Sequence, residues 1–256
     1  MPDSILITGA SSGIGEALAL AYARPGARLA LTGRDATRLA AVARACTMRG
    51  AAVDQQVIDV VDRAAMQAML VARDDATPFD LVIANAGIAA GVEHGPESEA
   101  QLRAITEINV NGVINTLAPL LPRLIARRCG QIALVSSLAG FRGFAGAPAY
   151  CASKAWERVY GESLRIELAA YGIGVSVICP GFVRSRITAA NPFPMPFLMD
   201  AERAARIIQR GLAANRGRIA FPWPMAAVVW LIAALPARLS DALLGRLPRK
   251  NADRGR

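Results

Sequence analysis

The sequence predicts an α/β fold with a doubly wound parallel sheet in a single domain, and three observations support this prediction. Short apolar runs alternate with longer segments of helical periodicity. The run Leu81-Val82-Ile83-Ala84 is apolar without alternation, as expected of a strand covered on both faces. The 256 residues suit one domain, and 54% of them are hydrophobic, with a mean hydropathy of +0.33, which is enough for a large core.

Strands and helices are predicted in alternating order. The strands are expected at 4–8, 28–32, 53–58, 80–84, 131–136, 174–179 and 218–221, and the helices at 13–24, 35–48, 62–73, 99–127, 150–171 and 200–213. This order favours parallel strands joined by right-handed crossovers. The segment 186–200 interrupts it because Pro192, Pro194 and Pro196 forbid a regular helix. We interpret the region near 186–215 as a substrate-covering loop.

Charge and cysteine content argue against several classes of protein. The net charge is +9, but the arginines are scattered apart from the C-terminal tail, so no nucleic-acid surface is predicted. His94 is the single histidine; we predict no Ser-His-Asp triad and expect His94 in a surface loop. No CxxC pair occurs, so neither a metal site nor a disulfide framework is predicted. We expect the cysteines to be buried, reduced thiols of a cytoplasmic protein: Cys46, Cys129, Cys151 and Cys179.

A glycine-rich loop, Thr8-Gly9-Ala10-Ser11-Ser12-Gly13-Ile14-Gly15, joins the first predicted strand to the first predicted helix. Glycine permits a tight turn and lets backbone N–H groups approach a pyrophosphate. The helix N-terminus adds a partial positive charge. The strand before the loop and the helix after it therefore predict a Rossmann-type dinucleotide site, although the spacing is GxxxGxG rather than GxGxxG.

The end of the second predicted strand, Leu31-Thr32-Gly33-Arg34, favours NADP(H) over NAD(H). Dinucleotide folds often place an acid there to bind the ribose 2′-hydroxyl. Gly33 supplies no carboxylate, and the Arg34 guanidinium suits a phosphate. Asp35 is expected to be the N-cap of the following helix; the alternative is that Asp35 binds the ribose.

The spacing of Tyr150 and Lys154 predicts a proton-transfer site, because residues i and i+4 share one helical face. A free phenol has a pKa of about 10, and a nearby ammonium should lower that pKa towards operating pH. Ser137 and Asn85-Ala86-Gly87 follow two predicted strands at their carboxyl ends, where open α/β sheets bind ligands. Asn109 lies inside a helical pattern, where asparagine is a poor helix former.

Together these motifs resemble those of the short-chain dehydrogenase/reductase family. The resemblance covers roughly residues 4–185 and rests on TGASSGIG at 8–15, NAG at 85–87, Asn109, Ser137, Tyr150 with Lys154, and Pro180-Gly181. It implies that Asn109, Ser137, Tyr150 and Lys154 are a catalytic tetrad. By this resemblance Tyr150 exchanges a proton with the substrate oxygen, and Ser137 polarises that oxygen. Lys154 would lower the tyrosine pKa and bind the nicotinamide ribose, and Asn109 would anchor a water in the proton relay.

The resemblance also implies the cofactor contacts. The loop residues Gly9, Ser11, Ser12, Gly13, Ile14 and Gly15 would bind the cofactor together with Arg34, and the Gly33-Arg34 pair resembles NADP-preferring members. Asp59 and Val60 would touch the adenine, and Asn85, Ala86 and Gly87 would line the central part. The nicotinamide would be bordered by Pro180, Gly181 and Val183. Ser185 stands where the family often has threonine, and its hydroxyl would contact the nicotinamide amide.

The resemblance further implies a homodimer or homotetramer, because the family commonly associates through the helices predicted at 99–127 and 150–171. Trp156 and Tyr160 lie one turn apart on the second of these helices. Their rings would face either a second subunit or the same chain, and the sequence leaves both alternatives open.

The C-terminal segment, 219–256, also leaves its role open. Residues 219–237 carry no charge, and the basic residues Arg238, Arg246, Arg249, Lys250, Arg254 and Arg256 follow them. The apolar part from Met225 to Leu235 would span about 16 Å as a helix, whereas a bilayer core is about 30 Å thick, so no membrane span is predicted. We expect this part to cover the substrate pocket or a subunit interface; peripheral contact with an anionic membrane is the alternative.

These observations favour an NADP(H)-dependent oxidoreductase that transfers a hydride between nicotinamide and a carbonyl or secondary alcohol of a small molecule. Phe193, Met195, Phe197 and the region 223–230 favour an apolar substrate. One alternative is a 3-oxoacyl thioester reductase of lipid metabolism. Another, of a different class, is a dinucleotide-binding sensor or scaffold without turnover, which the intact tetrad disfavours.

Overall fold

A parallel sheet occupies the centre of the protein. The computed structural model describes residues 1–89, 97–189 and 194–245. The strands are β1 (Ser4–Ile7), β2 (Arg28–Gly33), β3 (Ala52–Val57), β4 (Leu81–Ala84), β5 (Gln131–Val135), β6 (Gly174–Pro180) and β7 (Arg218–Phe221). Their order across the sheet is β3-β2-β1-β4-β5-β6-β7, with every pair parallel. The chain therefore changes direction across the sheet between β1 and β4, which confirms the predicted doubly wound fold.

Helices cover both faces of this sheet. In chain order they are α1 (Gly13–Tyr22), α2 (Ala36–Thr47), α3 (Arg63–Ala76), α4 (Glu99–Thr106), α5 (Gly112–Leu117), α6 (Leu121–Arg127), α7 (Pro148–Leu168), α8 (Arg186–Ala189), α9 (Ala201–Ala213), α10 (Trp223–Ala234) and α11 (Ala237–Leu244). The apolar faces of α1, α2 and α9 pack on one side of the sheet. Those of α3, α5, α6 and α7 pack on the other side.

Successive residues of the central strands enter opposite layers of the core. In β1, Ile5 and Ile7 pack with α1 and α9, whereas Leu6 packs with α3 and α5. In β4, the same alternation sends Leu81 to the first layer and Val82 to the second. Both faces of these strands are buried, which explains why their sequences are apolar without alternation.

Local chemistry shifts some predicted helix bounds. Asp35 caps α2 by accepting a hydrogen bond from the Arg38 backbone N–H at 2.9 Å, as predicted. The helix predicted over 99–127 is divided instead of continuous. A π-helical turn at Glu107–Asn111 follows α4, and a break before α6 precedes Pro122, which lacks an N–H to continue the helix.

The predicted substrate loop contains regular structure at both ends. It begins with the short helix α8, and Val183 pairs with Met199 in an isolated parallel bridge. From Ala201 onward the chain is α9, whose apolar face is part of the core. The hypothesis of a substrate-covering segment therefore concerns 186–199; within it, Pro192 and Phe193 lie outside the described residues.

The apolar C-terminal segment forms α10 and α11 after β7. None of the α10 residues is buried, although Met225 and Val229 pack beside Leu138 at the edge of the sheet. Trp223 is 78% exposed and Trp230 is 57% exposed. No helix among the described residues is long and apolar enough to cross a bilayer. The basic residues from Arg246 onward lie outside the described part of the chain.

The burial predicted for the four cysteines is found at three of them. Cys46, Cys151 and Cys179 are buried, but Cys129 is exposed, so the prediction of burial is wrong for Cys129. It lies in the turn between α6 and β5, where Gly130 adopts a positive φ and the chain runs over the surface.

Trp156 and Tyr160 stack with their ring centroids 4.7 Å apart and pack against the core of their own chain.

Candidate active site

A cleft of about 1100 Å³ opens at the carboxyl ends of the strands near the β1–β4 switch point. Most predicted site residues line it: Gly9, Ser11, Ser12, Gly13, Ile14, Arg34, Asp59, Val60, Asn85, Ala86, Gly87, Ser137, Tyr150, Lys154, Pro180, Gly181, Val183 and Ser185. Gly15 and Asn109 are not part of the lining; both lie directly behind it. The topology thus brings together residues that are far apart in the sequence.

The glycine loop presents backbone rather than side chains to the cleft. Gly9 and Gly13 have φ values of +66° and +59°, which L side chains rarely adopt. A Cβ on Gly15 would overlap the Gly9 carbonyl oxygen and approach Asn85 Nδ2 to 2.6 Å. The N-cap residue Ser12 makes no side-chain hydrogen bond to the first turn of α1, which leaves that helix end open to an anion.

The Asn85 side chain fixes this loop against the end of β4. Asn85 Nδ2 donates to the carbonyl oxygens of Thr8 and Gly9, at 2.9 Å and 3.2 Å. In return, Thr8 Oγ1 accepts from the backbone N–H groups of Asn85 and Ala86, at 3.0 Å and 3.1 Å. These four hydrogen bonds hold the two loops that flank the switch point in one geometry.

Two arginines line the cleft beyond β2. Arg34 is mostly exposed, with Nη1 3.5 Å from Asp59 Oδ2. Arg38 pairs with Asp35 at 2.8 Å, and its Nε is buried without a partner among the described residues. A Cβ on Gly33 would come within 3.0 Å of Ser11 Oγ. The Asp35 carboxylate is thus engaged with α2 and Arg38, and the mostly exposed Arg34 guanidinium lines the cleft beside Asp59.

Tyr150, Ser137 and Lys154 converge on the opposite part of the cleft. Ser137 follows β5 and hydrogen-bonds the Tyr150 hydroxyl through its side chain. The Lys154 ammonium lies 5.8 Å from the centre of the Tyr150 ring and is buried. It donates to the Val135 carbonyl oxygen at 3.0 Å and to the carboxylate of Glu157, also on α7. A phenol, an alcohol and a cation therefore meet at one edge of the sheet.

The net effect on the Tyr150 pKa is opposite to the sequence prediction. The pKa of Tyr150 is raised above its ordinary value, chiefly because the surrounding protein desolvates the phenolate. Lys154 and the Ser137 hydrogen bond lower it, as expected, but by less than burial raises it. Without a bound ligand, Tyr150 is thus protonated at neutral pH, which is the form that donates a proton.

Asn109 occupies the π-helical turn and is fully buried. Its Oδ1 accepts from the Ile88 N–H at 2.8 Å, and its Nδ2 donates to the Ile88 carbonyl oxygen and to Ser153 Oγ, both at 3.0 Å. A Cβ on Gly87 would lie 3.3 Å from both Asn109 Oδ1 and Lys154 Nζ. The asparagine thus braces the loop after β4 directly behind the lysine.

The remaining wall of the cleft comes from the chain after β6. Pro180, Gly181, Val183 and Ser185 line it as predicted. Thr188 also lines it, and its hydroxyl accepts from the Ser185 N–H at 2.9 Å and donates to the Val183 carbonyl oxygen at 2.8 Å. The Met225 sulfur would lie 2.8 Å from a Cβ on Gly181, which places the start of α10 against this wall.

Features at the glycine-loop end of the cleft fit a dinucleotide. Side chains on Gly9 or Gly15 would fill the loop cradle, the start of α1 is open, and a buried Arg38 nitrogen lacks a partner within the described chain. A family model described as short chain dehydrogenase matches residues 3–192. The chain belongs to the short-chain dehydrogenase family. It is therefore an oxidoreductase that acts on CH–OH or C=O groups.

Individual relatives resemble this short-chain dehydrogenase along nearly its whole length. An uncharacterized oxidoreductase of Myxococcus xanthus is 40% identical over 243 residues, which cover 94% of this chain and 96% of that protein. A short-chain dehydrogenase of Sphingobium yanoikuyae in complex with NADPH has a TM-score of 0.80 and 27% identity, and the match covers 98% of this chain and 99% of that one. A short-chain dehydrogenase/reductase of Burkholderia phymatum in complex with NAD has a TM-score of 0.82 and 26% identity, with 97% and 96% coverage.

Sequence reasoning missed three residues at the site of this short-chain dehydrogenase. In the sequence Arg38 resembles an ordinary surface residue of an amphipathic helix, although its position one turn after Arg34 could have indicated that both line the same cleft. Thr188 gave no signal, since its contact with Ser185 depends on the short α8 turn. Glu157 resembles half of an exposed i,i+3 ion pair but is buried. His94 lies outside the described residues.

Proposed function

We propose that this enzyme uses NADPH to reduce a carbonyl to a secondary alcohol, or runs the reverse oxidation with NADP. The observation that carries this proposal is the Tyr150 hydroxyl hydrogen-bonded to Ser137 at the edge of a dinucleotide-sized cleft. When bound, the nicotinamide supplies or accepts the hydride. Tyr150 gives a proton to the substrate oxygen in reduction, and Ser137 holds that oxygen.

Lys154 and Asn109 support this proton transfer, although Tyr150 is the residue that donates the proton. The buried Lys154 cation favours the phenolate that remains after proton transfer. In this proposal Lys154 also binds the cofactor ribose. Asn109 holds the loop that contains Gly87 and stands beside Lys154. In this proposal it also anchors a water that returns a proton to the site.

The proposed preference for NADP(H) rests on Arg34 and Arg38. Both guanidinium groups line the end of the cleft next to Gly33, where the two nearby carboxylates are already paired, Asp35 with Arg38 and Asp59 with Arg34. A 2′-phosphate would gain charge-assisted hydrogen bonds there. One solved relative contains NADPH and another contains NAD, so these relatives do not distinguish between the two cofactors. The proposed preference therefore rests on Arg34 and Arg38.

The proposed substrate is an apolar carbonyl compound or alcohol. Met195 and the exposed Phe197 belong to the segment before α9, and Met225 of α10 lies against Gly181. A 3-oxoacyl thioester of lipid metabolism is the second candidate, because an acyl chain would suit the same apolar side chains. The experiment is NADPH oxidation, with NADH in parallel, against aldehydes, ketones and 3-oxoacyl thioesters; turnover that disappears in Tyr150→Phe is expected.

The opposing hypothesis is a dinucleotide sensor or scaffold without turnover. It predicts that Tyr150→Phe keeps both NADPH binding and the biological response. The enzyme hypothesis predicts that the same variant keeps NADPH binding but loses turnover. NADPH binding without turnover of any compound in the wild-type protein would favour the sensor.

We also propose that the enzyme is a cytoplasmic homodimer or homotetramer that associates through α4–α6 and α7. The exposed apolar residues Ile114 and Val159 on α5 and α7 favour this surface. Light scattering should give two or four times the 27.0 kDa chain mass. Val159→Glu should lower that mass, whereas Met48→Glu, a change at another exposed apolar position, should not.

The outer face of α10 is proposed to touch an anionic membrane surface. Trp223, Trp230 and Leu231 are exposed on this uncharged helix. The residues after it include six cations (Arg238, Arg246, Arg249, Lys250, Arg254 and Arg256) against two acids (Asp241 and Asp253), which would repel a second copy but attract anionic lipid.

Cosedimentation with phosphatidylglycerol vesicles, compared with phosphatidylcholine vesicles, tests this contact. Salt-sensitive binding that Trp230→Ser weakens and Met48→Ser leaves intact is expected. Absence of such binding would refute the lipid contact. If Trp230→Ser then lowered the oligomeric mass, a second copy would be the partner.

A further inference from the structure

Glu157 binds the site lysine from the side opposite the cleft. Its carboxylate is only 1% exposed, and its two oxygens lie 2.8 Å and 2.9 Å from Lys154 Nζ. The third acceptor of the ammonium is the Val135 carbonyl oxygen at 3.0 Å. An ammonium group has three N–H donors. Three oxygen atoms of Glu157 and Val135 therefore lie within hydrogen-bond distance of Lys154 Nζ.

The surroundings of Glu157 do not explain this carboxylate by packing. One turn further along α7, Gly161 packs closely on Val177 and Leu134, which are buried apolar residues of β6 and β5. An apolar side chain would suit this layer, and buried ion pairs are often no more stabilising than apolar replacements of similar volume. Folding stability therefore does not explain why a carboxylate lies at this position, whereas its contact with Lys154 does.

We propose that Glu157 is a positioning residue for proton transfer: its carboxylate holds the Lys154 ammonium behind Tyr150 and partly neutralises the positive charge that the phenol experiences. This inference rests on the proposed function, in which Tyr150 is the proton donor. It assigns to Glu157 the task of keeping Tyr150 protonated and thus suited to reduction.

The electrostatics agree with this assignment. The Glu157 charge raises the pKa of Tyr150, whereas Lys154 lowers it. Burial, partly offset by Lys154, raises the pKa of Glu157 itself to about 7. Across the packed face, Cys179 of β6 also interacts with Glu157, and burial raises the pKa of its thiol to about 12. That thiol is uncharged at neutral pH, so it adds no charge beside Glu157 and Tyr150.

Three variants of Glu157 separate charge from packing. Glu157→Gln keeps the shape and one acceptor for Lys154 but removes the charge. Glu157→Leu removes the charge and suits the apolar layer, which protects the test if the glutamine variant folds poorly. Glu157→Asp keeps the charge. Glu162→Gln is the matched control, because Glu162 lies on the same helix but pairs with Arg158 and Arg218 at the surface.

The measurement is a spectrophotometric titration of tyrosinate in the absence of substrate. Each protein is compared with its own Tyr150→Phe counterpart, so that the difference reports Tyr150 alone. The midpoint should move to lower pH in Glu157→Gln and Glu157→Leu, because the nearby negative charge that raises the pKa of Tyr150 is removed. It should stay in place in Glu157→Asp and Glu162→Gln. Thermal unfolding confirms that each variant is folded.

A midpoint that is unchanged in the folded glutamine and leucine variants would overturn the proposal. A shift of equal size in Glu157→Asp would also overturn it, because packing rather than charge would then be responsible. The titration needs no turnover, so a failure to find any substrate would contradict the proposed function and leave this result interpretable. If a substrate is found, the rise of alcohol oxidation with pH should move to lower pH in the same two variants.

Discussion

Asn109 Nδ2 donates a hydrogen bond to Ser153 Oγ at 3.0 Å, and this contact joins the π-helical turn to α7 immediately before Lys154. The same side chain holds both backbone polar groups of Ile88. One buried amide therefore ties together the loop after β4, the π-helical turn between α4 and α5, and α7, the helix that contains Tyr150. We expect the site geometry to depend on it.

Replacing Asn109 with alanine should destabilise the fold and reduce turnover. The change leaves the Ile88 N–H and carbonyl without their side-chain partner, at a cost of about 1–3 kcal/mol for each group that stays unpaired. Ser153 Oγ would lose the bond that it accepts but keep the one that it donates to the Tyr150 carbonyl oxygen. Urea denaturation measures the free energy of unfolding. Asn111→Ala is the control, because Asn111 lies on the same turn but pairs with Glu107 at the surface. Equal losses in both variants would contradict this prediction.

Arg34→Asp should reverse the cofactor preference. A charge-assisted hydrogen bond is worth about 1.5–3 kcal/mol, so the ratio of kcat/KM for NADPH to that for NADH should fall at least about tenfold. The control is Arg44→Asp, the same charge change at an exposed position of α2 outside the cleft. A ratio that is unchanged in Arg34→Asp, or that falls equally in the control, would refute Arg34 as the discriminating residue.

Gly15→Ala should abolish tight cofactor binding while leaving most of the sheet intact. The added methyl group would overlap the Gly9 carbonyl oxygen and push against Asn85 Nδ2, so the glycine loop must move. NADPH binding is measured by the quenching of tryptophan fluorescence. Gly143→Ala is the comparison, because a Cβ at Gly143 meets nothing within 4 Å. Wild-type affinity in Gly15→Ala would show that the loop does not hold the cofactor.

The stability of the protein should depend on pH through Glu157. Its folded-state pKa, about 7, is raised above the ordinary value of 4.5, so the folded protein binds the proton more tightly than the unfolded chain between these values. The contribution of Glu157 is thus fully present below about pH 4.5 and is lost as the pH rises to 7, by about 1.4 kcal/mol per pH unit at most.

The comparison with Glu157→Gln isolates this contribution. The free energy of unfolding of the wild-type protein, minus that of the variant, should fall between pH 4.5 and 7, as followed by urea denaturation. A difference that stays constant or rises over this range would show that the carboxylate is not protonated more readily in the folded protein.

The sequence predicted features that depend on chain-local chemistry. The apolar runs became the strands, the Asp35 cap formed, and the polar residues after the strands met in one cleft because parallel strands end at the same edge. Spacing alone misjudged the Tyr150 pKa, because the i,i+4 relation to Lys154 reveals the nearby cation but not the burial that outweighs it. Cys129 was misplaced because an apolar tendency does not reveal a surface turn.

Other features required the tertiary structure. The poor helix propensity of Asn109 indicated an irregularity, but the π-helical turn exists because the side chain bonds to Ile88 and Ser153, far away in the sequence. The burial of Glu157 could not be predicted from the sequence, because it depends on β5 and β6, which cover that face of α7. Such groups cannot be found from periodicity, because their partners come from other elements.

The most direct test of the central claim is hydride transfer from deuterium-labelled NADPH. With a substrate that the enzyme reduces, mass spectrometry of the alcohol should find the label on the carbon that was the carbonyl. Tyr150→Phe should bind NADPH with similar affinity and transfer little or no label. Tight NADPH binding by the wild-type protein without label transfer to any carbonyl compound, or undiminished transfer by Tyr150→Phe, would contradict the account.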